Sequence, residues 1–202
     1  KVTMTKNGNY LISGDASGNI IIVDLIDLCI IKNENIHNGL VSAIAVAVDD
    51  SYFVSSGFDG KVVMNTFKSE PQFSINKDQG SAIRDIAIND IGDRLVVVKD
   101  NGKFYIYKPS GSTLIELQSK LLSLSWLVAA DWYVDNKTFA TSDLNGSIRI
   151  ETPFCTYSDK IHRLVNKIEF LPRNDNSLVL VLALKDKGLY ILPAASMKYR
   201  CN

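Results

Sequence analysis

The sequence predicts an all-β protein built from one repeated unit, and three observations carry that prediction. Glycines at 18, 60, 102, 146 and 188 each follow a short polar turn and open a run of β-branched or aromatic residues. Asp-Gly or Asn-Gly between two such runs is a strong hairpin signal, because glycine accepts the positive φ of the turn. Their separations are 42, 42, 44 and 42 residues. Upstream of each later hairpin lies a further alternating strand and turn, as in SAIAVAVDDS, RDIAINDIGD, VAADWYVDNK and NKIEFLPRND. Finally, no stretch of ten or more residues shows a clear amphipathic helical period. A period of about 40–45 residues with about four strands in each is the signature of β-propeller blades. We therefore expect a single propeller domain of four-stranded antiparallel blades.

Taken in order, repeat one (1–35) opens on a remnant at 2–4 and continues with strands at 10–13, 19–24 and 29–31. Repeat two (36–78) has strands at 41–48, 52–55, 61–66 and 72–75. Repeat three (79–118) has them at 83–88, 94–99, 103–108 and 113–117, with a turn at 109–112. Repeat four (119–160) begins with an extended entry segment or an extra strand at 121–127, followed by strands at 128–133, 138–141 and 147–151. Repeat five (161–202) has strands at 165–170, 178–183 and 189–192, and a weak outer strand at 198–200. In 178–183 both alternating faces are apolar, which suits a strand packed between neighbouring sheets. These repeats amount to about 4.5 to 5 blades, within the range in which sheets bury their faces radially. An open arc leaves its first and last faces uncovered. The expectation is thus part of a larger propeller, or one completed by a partner chain.

Composition narrows the function. Of 202 residues, 22 are Lys or Arg and 22 are Asp or Glu, a formal net charge of zero. Nucleic-acid binding needs basic residues gathered on a face. The short group Lys160, His162, Arg163 and Lys167 is read as a solvated loop. Cys29, Cys155 and Cys201 are odd in number, widely spaced and without a CxxC pair, which speaks against a disulfide framework or a zinc site. Reduced thiols fit an intracellular protein, cytoplasmic or nuclear. No run approaches the ~18 apolar residues of a membrane span.

No catalytic, cofactor or metal residue is assigned. His37 and His162 fall between repeats, away from any GxSxG context, and are read as solvated loop histidines. Cys155 is read as an inert buried thiol, seven residues from His162. The acidic pairs Asp49-Asp50 and Asp90/Asp93 are turn formers. The glycine turns lack the GxxxxGK[ST] phosphate loop.

Strands of this kind after a glycine turn, at this period, resemble the WD-repeat β-propellers. The Gly18 repeat is closest: Gly14-Asp15 opens its turn, and Val23-Asp24 stands at the family's signature Trp-Asp. Tyr107 takes the Trp place in repeat three, while Asn65-Thr66, Glu151-Thr152 and Pro193-Ala194 depart from it. The Gly-His dipeptide is missing throughout. The hydrogen-bond network that its His helps to build therefore has no support in the sequence, and a divergent propeller is expected. The resemblance implies a rigid platform for protein assembly, since fold by itself assigns no chemistry.

In such a disc the hairpin turns and the starts of the innermost strands share one end. Phe58 and Leu144 are apolar where a turn residue is usually polar, and Trp is enriched at binding hot spots. Phe58, Trp126 and Leu144 are the candidate protein-binding residues, while Trp132, alternating with Ala130, is assigned to the core. The expected function is a non-catalytic scaffold whose partners are other protein subunits. Two alternatives stay open. One is a subunit of a nuclear nucleic-acid-processing assembly that touches mainly protein; the other is an enzyme or small-ligand site in the central channel.

Overall fold

The computed structural model describes residues 1–67, 73–76, 80–110, 113–171, 177–186, 188–193 and 198–201. Each blade is an antiparallel sheet that meanders outward from the channel. Blade one comprises β1 (Val2–Met4), β2 (Tyr10–Gly14), β3 (Asn19–Asp24) and β4 (Cys29–Asn35). Blade two is β5 (Val41–Val46), β6 (Phe53–Gly57), β7 (Lys61–Asn65) and β8 (Phe73–Asn76). Blade three is β9 (Ile83–Ile88), β10 (Leu95–Lys99), β11 (Lys103–Ser110) and β12 (Thr113–Leu121). Blade four begins with β13 (Leu127–Trp132), β14 (Phe139–Asp143), β15 (Ser147–Glu151) and β16 (Cys155–Lys160). Blade five has three strands, β17 (Val165–Phe170), β18 (Val179–Leu184) and β19 (Leu189–Pro193). The innermost strands β1, β5, β9, β13 and β17 follow one another around the channel. All five repeat glycines have positive φ, between 76° and 92°.

The hydrophobic core is divided among the gaps between blades. Ile12, Ile20 and Ile22 of blade one meet Val41 and Phe53 of blade two. Val54, Val62 and Met64 meet Ile86, Leu95 and Val97 across the second gap. Trp132 and Phe139 fill the third beside Val96, Val98 and Phe104. Ile148 and Ile150 face Ile168, Leu180 and Leu182 across the fourth. Trp132 is buried, as expected from its alternation, and its indole N–H donates to Ala87 O at 3.1 Å. Fully burying a side chain such as Leu182 contributes about 1.5–3 kcal/mol. Among the described residues no blade packs on the outward face of blade five. There Leu189 and Ile191 are exposed, and Val181 and Ala183 are partly so.

Four sequence expectations change. The last strand, β20 (Lys198–Cys201), does not extend blade five; it pairs with β16 and makes blade four five-stranded. The edge of β16, itself missed in the sequence, supplies a free row of backbone groups. β16 escaped notice because CTYSDK is half-solvated on both faces and shows no alternation. The segment expected at 121–127 is divided: Leu121 ends β12, Leu127 starts β13, and 122–126 is loop. β11 and β12 run through the expected 109–112 turn as far as the pair Ser110 and Thr113. Gln72, Gly111, Ser112, Pro172 to Asp175 and Ala194 of the segments read above lie outside the described residues.

Candidate functional site

One end of the disc gathers the hairpin turns and the lead-ins to the inner strands. Each turn is tied to the lead-in of its own blade by a backbone bond: Phe58 N–H to Leu40 O, Asp100 N–H to Ala82 O, Leu144 N–H to Trp126 O and Lys185 N–H to Leu164 O, at 2.9–3.0 Å. These bonds place the side chains at 40, 58, 126, 144 and 164 around the channel mouth. All five are apolar and half-exposed. Phe58, Trp126 and Leu144 are 42%, 45% and 39% accessible, too much for core and too clustered for scatter.

The inner strands add a second ring. Each of β5, β9, β13 and β17 carries a register shift near its start, leaving Ser42, Arg84, Val128 and Asn166 without a pairing partner. A bulge turns its extra residue away from the regular pleat. All four bulge residues line one cavity of about 260 Å³ at the mouth, together with Phe58, Leu144 and Leu164. The guanidinium carbon of Arg84 lies 4.8 Å from the Phe58 ring centroid and 4.3 Å from that of Trp126. Both fall within cation–π range. The three residues chosen from the sequence thus share one face, and Arg84 bridges two of them. Sequence reading passed over Arg84 because it sits at a polar position of an alternating strand. Leu40 and Leu164 were overlooked as ordinary flanks of the strands that follow them.

His37 is not the solvated histidine expected; it is 1% exposed. Nδ1 lies 3.1 Å from Asp59 Oδ1, and Nε2 lies 2.9 Å from Ser55 Oγ. Because the carboxylate only accepts, Nδ1 carries the proton and Nε2 accepts from the Ser55 hydroxyl. Ser55 Oγ in turn accepts from Asn65 Nδ2 at 3.3 Å. Asn65 stands where the signature Trp was sought, so the chain Asn65–Ser55–His37–Asp59 rebuilds in blade two the His-centred network thought missing. Burial pushes the His37 pKa below its ordinary value, so the ring is neutral at pH 7. Burial pushes Asp59 the other way, but N–H donors from Asn38 and Lys61 and the His37 ring outweigh it and hold the carboxyl low.

Deeper in the channel, Lys167 Nζ meets Asp85 Oδ2 at 2.8 Å, and Ala130 N–H donates to that same oxygen at 3.1 Å. Asp131 Oδ2 accepts the Phe170 N–H at 2.8 Å. Burial pushes the Asp131 carboxyl up to about 6. A raised carboxyl pKa means that the folded state holds the proton more tightly, so this group lowers stability as pH climbs from about 4 through 6. Over that window the loss is on the order of 3 kcal/mol. Asp131→Asn removes the buried charge and leaves an oxygen for Phe170. It should melt several degrees higher than the parent at pH 7, and the difference should close by pH 4. An equal gap at both pH values in a thermal-melt series refutes this account.

The other named residues do not join a site. His162 is exposed, and Arg163 pairs with Asp186 at 2.9 Å while Lys167 pairs with Asp85, so the basic group is not one patch. Cys155 is not a thiol but disulfide-bonded, and in the β16–β20 register its Cα partner is Cys201. Sequence spacing could not reveal that neighbour. Among the described residues Cys29 is free and exposed. A larger cleft of about 750 Å³ between β12 and the outer strands of blade four is polar, with Lys120, Arg149 and Lys160 opposing Glu151 and Asp159. Among the described residues no group of three or more His, Cys, Asp or Glu is placed to hold a metal ion. No helix among them is long and apolar enough to cross a membrane.

Comparison with known proteins bears on fold. The family described as WD domain, G-beta repeat matches residues 30–64, the stretch that holds His37, Ser55 and Asp59. No curated protein matches the sequence. A chain in the crystal structure of the mitotic checkpoint complex superposes over 98% of this chain and 62% of its own, with a TM-score of 0.82 and 14% identity. This chain thus spans under two thirds of that one, and the likeness reaches the architecture alone. With residues 30–64 matched in sequence and nearly the whole chain matched in structure, the chain has the fold of the WD-repeat β-propellers.

Proposed function

We propose that the chain is a non-catalytic platform that binds other protein subunits through the channel mouth bearing Phe58, Trp126 and Leu144. WD-repeat propellers generally serve as interaction scaffolds, and the structural neighbour belongs to a multiprotein complex. The observation that carries the reading is the gathering of five half-exposed apolar side chains from three blades on one face. A few such anchors dominate the affinity of a protein interface. The paired ionisable groups support it as well. His37 pairs with Asp59 and Asp85 with Lys167, so each of these groups already has a partner within the chain. An intracellular location, cytoplasmic or nuclear, belongs to the same proposal and rests on the scaffold reading alone, since the Cys155 disulfide removes the argument from reduced thiols; a tagged chain found only in the medium contradicts it.

The test is the triple variant Phe58→Ser, Trp126→Ser, Leu144→Ser. All three side chains are already half in water, so the melting temperature should move by only a few degrees. Partner capture in a pull-down should drop by a factor of about 100 or more, since each anchor is worth at least about 1 kcal/mol. Retention of every partner by the folded triple variant rejects this face.

A further inference from the structure

We propose that the segment received at this mouth is a short acidic peptide stretch, its carboxylate seated on Arg84 and a neighbouring apolar side chain laid against Leu40, Leu144 and Leu164. The inference rests on the docking reading above and names the chemistry of what docks. Arg84 is its centre. The bulge in β9 takes this residue out of the ladder and delivers it to the cavity. The Phe58 and Trp126 rings both lie against the guanidinium, a setting that restrains the head group and displaces part of its water. Its Nε is buried and has no hydrogen-bond partner. A guanidinium offers five donors in a fixed fork suited to a carboxylate. A buried donor left unmatched is costly, and a ligand that accepts from it removes that cost on binding.

Charge selects the sign of the occupant. The cavity is lined by Lys1, Arg84 and Lys185 and by no Asp or Glu. Three acidic residues of the adjoining turns are engaged elsewhere. Asp59 binds His37 and two backbone N–H groups, Asp143 binds Ser123 and two more, and Asp186 pairs with Arg163. Size selects the class. At about 260 Å³ the cavity holds one or two side chains and falls below the ~300–1,000 Å³ of small-molecule sites. An apolar rim around a shielded cation therefore fits a side-chain carboxylate beside a Leu-like or Phe-like neighbour.

The experiment pans a display library of random 12-residue peptides on the purified chain, then measures the best binder as a synthetic peptide. Enriched sequences should carry Asp or Glu next to a large apolar residue. Arg84→Gln should weaken the selected peptide by at least about tenfold, and Arg84→Lys by less, because it keeps the charge and loses the fork. Replacing the peptide's acid by its amide should cost the parent the same factor and cost the Arg84→Gln variant almost nothing. Matching thermal melts for both variants establish that folding is intact. Enriched peptides that are apolar and indifferent to Arg84 leave the docking face standing and overturn this inference alone. If phosphoserine in place of the acid binds more tightly, the assignment to a carboxylate is overturned. If no peptide is enriched at this face, both readings fall.

Discussion

Gly102→Ala should be among the most damaging single-methyl changes in this chain, costing at least about 4 kcal/mol, in the range reserved for a named structural failure. Gly102 has a φ of 77°, where a side chain is strained, and a Cβ added there meets the Ser123 carbonyl oxygen at 1.8 Å. That oxygen belongs to the segment leading into blade four, and the Gly102 carbonyl accepts N–H bonds from Leu122 and Ser123 in return. The glycine is thus a latch between the hairpin of one blade and the path to the next. Gly18 repeats the arrangement with His37, whose carbonyl oxygen is again 1.8 Å from the added Cβ. Gly188 shares the positive φ but has nothing within 4 Å. Gly188→Ala should therefore cost only the backbone strain, about 1–2 kcal/mol. Urea unfolding of the two variants settles the matter. Equal losses would show that φ, and not the interblade contact, is why the period ends in glycine.

His37→Ala is expected to lower stability by about 3 kcal/mol or more, because it opens a cavity and strands the Ser55 hydroxyl and one acceptor of Asp59. For a chain of this size that corresponds to a fall of roughly 10 °C in melting temperature. The same residue sets a pH dependence whose sign follows from its lowered pKa. The unfolded chain protonates His37 near pH 6.5, whereas the folded chain resists it. The stability that the neutral ring supplies is complete above that pH and is lost as pH falls through 6.5 toward the folded value. Comparing His37→Ala with its parent isolates this contribution from Asp131, which acts in the opposite direction. The gap between the two proteins should shrink as pH drops from 7.5 to 5.5. A gap that stays constant means that the ring takes up its proton equally in the folded and unfolded chain, and the lowered pKa is then wrong; a gap that widens means that the ring is already charged in the folded state, and the proton assignment given above falls with it.

The blades were legible because their signals are local. A glycine turn and two alternating flanks lie within about a dozen residues, and those neighbours interact whatever the rest of the chain does. The three candidate residues were legible for a related reason. An apolar side chain at 58 or 144 is out of place in its own turn, and one window of sequence is enough to see that. Arg84 was not, since its meaning comes from rings 26 and 42 residues away and from a bulge that no alternation announces. His37 looked like any loop histidine because Ser55 and Asp59, which enclose it, lie beyond an intervening strand.

The amino-acid order alone therefore determined that this is a propeller of meandering blades and which turns carry apolar side chains. Tertiary structure alone decided that β20 closes on blade four, that His37 is sealed inside blade two, and that Arg84 lies against Phe58 and Trp126. The division has one physical cause. Hairpins are stabilised by residues a few positions apart, so a short window contains both partners. The others are stabilised between residues some 20 to 45 positions apart, and only chain closure brings those within ångströms of one another.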